Sequence, residues 1–169
     1  MAKILIVNKD DKVIGAEEMK VVQAKGLIHR IVRVFLFNPK GQLFLQRRAD
    51  TMDIFPNHWD QSVGGHVDEG EGYHHAAIRE TKEELGIESI KLKEVIKFYH
   101  EEHIENKVLK RFNMLYEGVY DGKINLNKLE VSDGKWLKLK DLEILIRKNP
   151  NDFVPAFIKT YQIYKKEKR

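Results

Sequence analysis

Residues 64–87 read GGHVDEGEGYHHAAIRETKEELGI and gather acidic side chains around one arginine. The composition of residues 72–85 favours a helix, and Gly86 stands where a left-handed C-cap residue is common. One side of such a helix is suited to burial, and its members are Ile78, Thr81 and Leu85. The stretch therefore predicts a helix that packs one flank on a core and turns the other toward a cleft.

The acidic flank of this helix carries Glu80, Glu83 and Glu84, which are related by i, i+3 and i+4 spacing. Because successive helical residues turn by about 100°, the three carboxylates point the same way. Arg79 can reach Glu83 at i+4, but one cation does not neutralise the group. A divalent metal would do so, and the alternative is an acidic helix face that is simply exposed to solvent.

A magnesium site on this flank would suit a phosphate substrate. Mg²⁺ favours carboxylate oxygens, keeps several waters and commonly shares its coordination between protein carboxylates and substrate phosphates. Gly64 and Gly65 would let backbone approach the metal or the phosphate with no side chain between them. These residues favour metal-dependent diphosphate chemistry.

Length and composition predict one domain over residues 1–169, with 42% hydrophobic and 33% charged residues. The net charge of +4 and the pI near 9.1 are too small an excess to indicate nucleic acid binding. The chain has no cysteine, which excludes disulfides, thiolate metal ligands and a cysteine nucleophile. The N-terminal MAKILIVNKDDK has too short an apolar run for a signal peptide or a membrane span, so we expect a cytoplasmic protein.

Upstream of the acidic stretch, the sequence predicts strands and one helix. Residues 29–37 and 43–48 are expected to form a hairpin across the turn-forming NPKGQ. Residues 49–60 have no sustained period and carry a proline, which predicts a loop. The remaining elements of this half are a helix at 17–25 and strands at 4–7 and 61–65.

Downstream, residues 90–99 and 108–120 are predicted strands joined by a polar loop, HEEHIEN. A last strand is expected at 134–139, followed by helices at 140–148 and 151–166. Because strands and helices mix without a regular βαβ alternation, the predicted fold class is α+β.

The spacing of Gly65, Glu71 and the run RETKEELGI at 79–87 resembles the Nudix box of the Nudix hydrolase superfamily. Thr81 departs from that pattern, which usually has an aliphatic residue on this core-facing flank. The resemblance implies a Nudix-type α/β/α sandwich with a mixed β-sheet and a loop-helix-loop box at residues 65–87. It also implies Mg²⁺ or Mn²⁺ as cofactor, and hydrolysis of a nucleoside diphosphate linked to another moiety or of a related small diphosphate.

The same resemblance assigns roles by position. The implied metal ligands are Glu71, Glu80, Glu83 and Glu84. The implied catalytic residues are Arg79, Glu80, Glu83 and Glu84. Glu71 would brace the start of the helix, and Arg79 would orient the carboxylates by ion pairing. Glu80 is the first candidate for the base that activates water, and the alternatives are Glu101, Glu102 and Glu105.

Residues 29–66 also resemble the branch of the superfamily that contains isopentenyl-diphosphate isomerase. In that isomerase a Cys-Cys-Ser-His run holds the catalytic cysteine, and the matching run here is Val63-Gly64-Gly65-His66. Glycine has no side chain that could move a proton to or from carbon, so isomerase activity is disfavoured. A lysine that contacts diphosphate in that branch falls at Met52, although Arg48 matches a neighbouring basic position.

The expected partner is a small-molecule diphosphate, and its binding candidates are Arg48, Trp59, Gly64 and Gly65. His29 and His66 match metal-binding positions of the isomerase, whereas a histidine at a strand end is more often a hydrogen-bonding structural residue. A membrane partner is not expected, nucleic acid is disfavoured and a homodimer is left open. The remaining alternative is a non-catalytic Nudix module that binds a nucleotide.

Overall fold

The computed structural model describes residues 2–169, which form nine strands and four α-helices. The strands are β1 (Ile4–Val7), β2 (Val13–Glu17), β3 (Ile28–Phe37), β4 (Leu43–Arg48), β5 (Trp59–Asp60), β6 (Val63–His66), β7 (Lys93–Ile104), β8 (Lys107–Val119) and β9 (Val131–Leu137). The helices are α1 (Met19–Lys25), α2 (Tyr73–Leu85), α3 (Leu139–Lys148) and α4 (Pro155–Glu167). The predicted α+β class is confirmed.

β3 is the centre of the sheet because it pairs along both of its edges. It runs parallel to β8, from Ile28 opposite Lys110 to Phe37 opposite Val119. β8 also pairs antiparallel with β7, and β6 lies antiparallel along the other edge of β3. β4 pairs antiparallel with β9 and with β5. Parallel and antiparallel pairs therefore coexist, as the predicted mixed sheet requires.

The predicted hairpin of β3 and β4 is present, but its two strands separate directly after the turn. Within residues 2–169, Phe37 and Leu43 form the single backbone ladder pair between them. Ser62 bridges the gap, because its hydroxyl accepts from the Leu36 amide at 2.8 Å and donates to the Phe44 carbonyl at 2.6 Å. The separation leaves room for a cleft between the two parts of the sheet.

Alternation along β3 sorts its side chains onto two faces. Val32 and Val34 lie in a buried cluster with Ala77 of the box helix α2. Phe35, which points the opposite way, lies in a second cluster with Phe157 of α4. Both faces of the sheet are therefore covered by helices, in the predicted α/β/α arrangement.

The helix α2 follows its predicted bounds closely. Gly86 ends it in the left-handed conformation, with φ of 68°, and donates its amide to the Lys82 carbonyl at 2.9 Å. Thr81 is completely buried, and its hydroxyl donates to the Ala77 carbonyl at 2.7 Å. The departure from an aliphatic residue at Thr81 is accommodated because the helix itself satisfies the hydroxyl.

The helix predicted at 17–25 was wrong at its start, because Glu17 belongs to strand β2. β2 pairs antiparallel with β1, and the helix begins only at Met19. The side chain of Asn8 stabilises the intervening turn by accepting two backbone amides. β2 is an edge strand whose Val13 and Ile14 are exposed, so no buried face marked it in the sequence.

The predicted polar loop HEEHIEN is mostly strand. β7 continues to Ile104 and β8 begins at Lys107, so the turn contains only Glu105 and Asn106. Exposure alternates along the end of β7, which means that one of its faces meets solvent. A strand of this kind carries many polar residues, and its composition resembles that of a loop.

At the C-terminus, α3 matches its prediction within one residue, while the last helix begins at Pro155 rather than at residue 151. Residues 150–152 form a 3₁₀ turn instead. Pro155 occupies the first turn of α4, where its fixed φ and missing N–H are tolerated. The last strand lies at 131–137, a few residues before the predicted 134–139.

Candidate active site

Gly64 and Gly65 of β6 form a cradle for the glutamates of α2. A Cβ added at Gly65 would overlap the carboxyl group of Glu80. A Cβ added at Gly64 would lie 2.6 Å from Nε2 of Gln61. The absence of a side chain at Gly65 lets α2 bring the Glu80 carboxylate directly against the backbone of the sheet, and the absence of one at Gly64 leaves room for the Gln61 amide.

Glu84 is the most buried carboxylate of the acidic face, with 6% of its surface exposed. Its Oε2 atom accepts from Nε2 of Gln46 at 2.7 Å and, more weakly, from the Gly64 amide at 3.4 Å. Burial, and next the neighbouring Glu80 carboxylate, raise the pKa of Glu84 well above its ordinary value. A cation held beside these two groups would favour their ionised forms.

Glu80 lies between this cradle and Arg79, with 13% of its side chain exposed. Burial raises the pKa of Glu80 to about 7, with Arg79 opposing the shift and the charges of Glu83 and Glu130 adding to it. A carboxyl group that titrates near neutral pH has the property that a general base needs. Glu130, from the loop before β9, carried no signal in the sequence.

Arg79 contacts three of the four predicted metal ligands. Its guanidinium donates to Oε1 of Glu71 at 2.5 Å, to Oε1 of Glu80 at 2.9 Å and to Oε2 of Glu83 at 3.2 Å. The Nη2 atom also donates to the His66 carbonyl at 2.9 Å. These bonds join the loop before α2, the helix itself and the end of β6.

Glu71 braces the start of the box helix. Its Oε1 atom accepts from the Asp68 amide at 2.8 Å, which closes the loop that leads into α2. Burial acts to raise the pKa of Glu71, but the bonds from Arg79 and the Asp68 amide outweigh it and leave the pKa below its ordinary value. The carboxylate is therefore ionised and held in place.

Arg79 occupies carboxylate oxygens that a metal ion on the acidic face would need. Within residues 2–169, no three acidic or imidazole side chains converge into a ready-made metal site. The carboxylates are hard oxygen donors of the type that Mg²⁺ and Mn²⁺ prefer, and the glycine cradle admits them without a clash. The residues thus fit such an ion, provided that Glu80 turns away from Arg79.

A cavity of about 390 Å³ lies beside the cradle, where β3 and β4 separate. Its lining brings together Arg48, Gly64 and Gly65 of the predicted binding residues. Arg48 donates through Nε to the Ile54 carbonyl at 2.9 Å and lies 3.6 Å from Asp60. The volume is in the range of small-molecule sites.

Trp59, the fourth predicted binding residue, does not line this cavity. Its ring is covered by cations instead, with Nζ of Lys135 at 4.1 Å from the ring centroid and the guanidinium carbon of Arg47 at 6.0 Å. Phe55, from the preceding loop, is the aromatic side chain that faces the cavity.

Four polar residues that sequence reasoning did not single out as a group form one wall of the cavity: Arg33, Asp60, Gln61 and Arg111. Arg33 is 4% exposed and donates to Oδ1 of Asn113 at 2.9 Å and to Oε1 of Gln61 at 2.8 Å. Arg33 and Arg111 stand in apolar strand runs, IVRVFLF and VLKRFNMLY. A charge inside such a run was the available signal.

His29 and His66 stack with ring centroids 5.6 Å apart and border the same cavity. His29 donates from Nδ1 to the Leu27 carbonyl at 3.0 Å, and its buried Nε2 has no partner among the described residues. Burial lowers the pKa of His29 to about 4 and that of His66 to about 3, and Arg111 adds to both shifts. A metal ion bound by these two histidines is disfavoured because the positive charge of the Arg111 guanidinium is already present beside them.

The other predicted alternatives lie away from the cradle. Glu101 is exposed and accepts from the Tyr99 hydroxyl at 2.7 Å, and Glu105 occupies the exposed turn after β7. Glu102 does line the cavity, but its Oε2 atom accepts from Nη2 of Arg111 at 2.5 Å. None of these contacts brings one of the three glutamates to the acidic face of α2.

Comparison with known proteins agrees with the fold and with the box. The sequence profile of the NUDIX domain matches residues 27–157. The fold supports this match, because the chain forms an α/β/α sandwich whose box helix lies between glycines and carries an acidic face. The chain belongs to the Nudix family.

Similar proteins include both isomerases and hydrolases. The chain is 33% identical over 157 residues to isopentenyl-diphosphate Delta-isomerase 2 of Photorhabdus laumondii, which covers 92% of this chain and 88% of the relative. It is 32% identical to an uncharacterized Nudix hydrolase of Pseudomonas aeruginosa, over 78% of this chain and 76% of that protein. A crystal structure of a Deinococcus radiodurans protein superposes with a TM-score of 0.72 and 29% identity, covering 86% of this chain and 89% of that one.

Across residues 2–169, no helix has the length and apolar character needed to span a membrane.

Proposed function

We propose that this chain is a metal-dependent diphosphohydrolase that cleaves a small diphosphate compound. The observation that carries the proposal is the cradle of Gly64 and Gly65, against which α2 holds Glu80 and Glu84 at the border of a ligand-sized cavity. The family includes proteins named as hydrolases, which supports hydrolysis of a diphosphate linkage as the reaction class.

The cofactor of the proposal is Mg²⁺ or Mn²⁺, held by Glu80 and Glu84 with Glu83 and Glu71 nearby. When bound, such an ion supplies positive charge that polarises a phosphoryl oxygen and offsets the charge that develops in the transition state. Glu80 must exchange its contact with Arg79 for this role. Arg79 keeps Glu71 and Glu83 as partners after that exchange, so the exchange leaves no guanidinium charge unpaired.

In the proposed reaction, a water oxygen forms a bond to phosphorus and the bridging P–O bond breaks to give two phosphate products. Glu80 borders the cavity from the cradle and is the proposed acceptor of the proton that the water loses. Arg79 holds the neighbouring carboxylates in place, and Arg48, which also lines the cavity, offers a guanidinium to the phosphate chain.

The proposal is tested by a Mg²⁺-dependent phosphate-release screen over nucleoside-diphosphate compounds and prenyl diphosphates. For compounds capped at both ends, a phosphatase is included to convert the two phosphomonoester products to phosphate. We expect a turnover that is lost in Glu83→Gln and Glu84→Gln and kept in Glu88→Gln, an exposed glutamate just beyond the helix. Equal activity in all three variants would remove the acidic face from the mechanism. If no compound turned over but one raised the melting temperature, the binding-module alternative would replace the proposal.

Isomerase activity is the second candidate because several relatives carry that name. The chain nevertheless contains no cysteine, and Gly64 and Gly65 occupy the matching positions. We expect that incubation with isopentenyl diphosphate and Mg²⁺ yields none of the allylic isomer, as measured by product chromatography. Detection of the allylic product, absent from a Glu80→Gln control, would contradict this expectation.

The titration of Glu80 predicts how stability depends on pH. The folded metal-free protein holds the Glu80 proton up to about pH 7, whereas the unfolded chain loses it near the ordinary value of 4.5. Between these values the folded state binds the extra proton, so the stability of the wild type relative to Glu80→Gln falls as the pH rises. Urea unfolding of both proteins in EDTA across this range measures the difference.

The comparison with Glu80→Gln is needed because other groups titrate in the same range. His29 and His66 have lowered pKa values, so they make the folded protein more stable as the pH rises toward 6.5, in both proteins alike. Adding Mg²⁺ should raise the unfolding midpoint of the wild type more at about pH 8 than at about pH 5, because ligand carboxylates must lose their protons. A difference between the two proteins that did not change with pH would contradict the assigned titration.

A cytoplasmic location and a small-molecule diphosphate partner belong to this proposal and rest on the composition and on the cavity.

A further inference from the structure

Two arginines on neighbouring strands, Arg33 of β3 and Arg111 of β8, line the cavity. We refer to these two residues as the arginine wall. The parallel pairing of β3 with β8 sets His29 beside Arg111 and Ile31 beside Asn113. Because side chains alternate along a strand, Arg33 follows two positions later on the same face as these residues. The pairing thus brings together two guanidinium groups whose positions are 78 residues apart in the sequence.

Arg33 is held by neutral groups. Its two side-chain hydrogen bonds go to the amide oxygens of Asn113 and Gln61. Among the described residues, no carboxylate lies within ion-pair distance of Arg33, and its Nη2 atom has no hydrogen-bond partner. A buried guanidinium without a contacting counter-ion is costly unless something anionic binds it.

Arg111 is only partly satisfied. Its Nη2 atom donates to Oε2 of Glu102, but its buried Nε atom and Oε1 of Glu102 have no partners within residues 2–169. A guanidinium that pairs through one nitrogen, rather than through two as in a bidentate pair, keeps donors available for a second anion. Both members of the wall therefore have unused donors.

The positive charge is local to the arginine wall. The cavity as a whole is lined by three arginines, Arg33, Arg48 and Arg111, and by four carboxylates, Asp53, Asp60, Glu84 and Glu102. Among the described residues, Glu102 is the one carboxylate within ion-pair distance of a member of the wall. The two guanidinium groups therefore share a single contacting counter-ion, and a second anion would be favoured beside them.

The wall adjoins the glycine cradle. Gln61 accepts from Arg33 through Oε1, and its Nε2 atom lies against Gly64. A phosphate chain that reaches the acidic face of α2 can therefore extend to the wall. A terminal phosphoryl group offers three non-bridging oxygens to the donors of the wall, whereas an internal phosphoryl group, capped on both sides, offers two.

We propose that the arginine wall binds the free terminal phosphoryl group of the substrate. The substrate class is then an uncapped di- or triphosphate ester, rather than a diphosphate capped at both ends by sugar or nucleoside groups. The inference deepens the proposed hydrolase function and rests on it for turnover, whereas anion binding by the wall is independent of catalysis.

The first experiment is calorimetric titration of the full chain with inorganic pyrophosphate in EDTA. We expect binding that weakens about tenfold or more in Arg111→Gln, since a charge-assisted contact is lost. Lys110→Gln is the matched control, because it removes one positive charge from the adjacent residue, which points to the opposite face. Glu102→Gln should bind pyrophosphate more tightly than the wild type, because Arg111 loses its competing anion.

The gain expected in Glu102→Gln cannot come from misfolding, and Arg111→Lys provides a second variant that keeps the charge but not the planar fork. Absence of pyrophosphate binding in the wild type, or an equal loss in Arg111→Gln and Lys110→Gln, would overturn the inference. So would unchanged or weakened binding in Glu102→Gln.

The second experiment compares kcat/KM for ADP and for ADP-ribose in Mg²⁺. We expect the uncapped ADP to be preferred by about tenfold or more in the wild type, and the preference to disappear in Arg111→Gln. Equal or reversed preference in the wild type would contradict the proposed substrate class. If the protein binds pyrophosphate without metal but turns over neither compound, the hydrolase proposal is rejected and anion binding by the arginine wall stands. If it turns over a compound but does not bind pyrophosphate, the role of the arginine wall is rejected and the hydrolase proposal stands.

Discussion

Replacing Glu80 by glutamine should lower kcat by roughly 10²–10⁴-fold on the best substrate of the phosphate-release screen. The amide has nearly the same shape, so it still fits against Gly65, but it cannot accept a proton and is a poor ligand for a divalent cation. Initial rates at saturating substrate and Mg²⁺ provide the measurement, and circular dichroism checks that the fold is retained.

Glu88→Gln is the control for this substitution, since Glu88 is exposed and pairs with Lys82 at 2.9 Å outside the cradle. Its kcat should stay within about twofold of the wild type, as for most surface changes. Near-normal turnover in Glu80→Gln would remove Glu80 as base and ligand. A loss of the same size in Glu88→Gln would point to a general electrostatic effect.

Gly65→Ala should lower kcat/KM by about 100-fold, because displacement of a catalytic group by about 1 Å has effects of that size. The new methyl group would overlap the Glu80 carboxyl, so the side chain must leave the cradle. The variant keeps all four box carboxylates, and a loss would therefore depend on their position and not on their number. Steady-state kinetics over a range of Mg²⁺ concentrations measures the effect.

The matched control is Gly15→Ala in the edge strand β2, where an added Cβ meets no atom within 4 Å. That variant should be fully active, with an unchanged unfolding midpoint. Full activity in Gly65→Ala would show that Glu80 does not need the cradle. If the urea midpoint of Gly65→Ala fell steeply, measuring Mg²⁺ binding at low temperature would separate misplacement of Glu80 from unfolding.

The box helix could be predicted from the sequence because its determinants are local. The spacing of Glu80, Glu83 and Glu84 and the glycine at position 86 are readable within a few helical turns. The contact of Arg79 with Glu83 followed from i, i+4 spacing, and the structure contains it at 3.2 Å. The roles assigned to these residues in catalysis remain predictions.

The cavity could not be predicted in the same way, because it depends on which strands become neighbours. Arg33 and Arg111 meet only through the parallel pairing of β3 and β8, which leaves no mark on either segment alone. Trp59 is a predicted binding residue because an aromatic ring can stack on a base or line an apolar pocket, but Lys135 from β9 covers its ring. The register of a remote strand decides both outcomes.

The strand predictions were wrong where one face of a strand is exposed to solvent. The end of β7 was interpreted as a loop because it is as polar as one, although its backbone is fully paired with β8. β2 was missed for the opposite reason, since its apolar Val13 and Ile14 face solvent at the sheet edge. Polarity indicates burial, and burial is only indirectly related to backbone conformation.

The parallel ladder between β3 and β8 also affects how the protein folds. It joins residues some eighty positions apart, so closing it requires a long loop and contributes to a high contact order. A chain in which β8 has not yet paired can already hold the locally encoded box helix, but it has no arginine wall. During refolding, helical signal should therefore recover before pyrophosphate binding, which should appear only with the slowest phase.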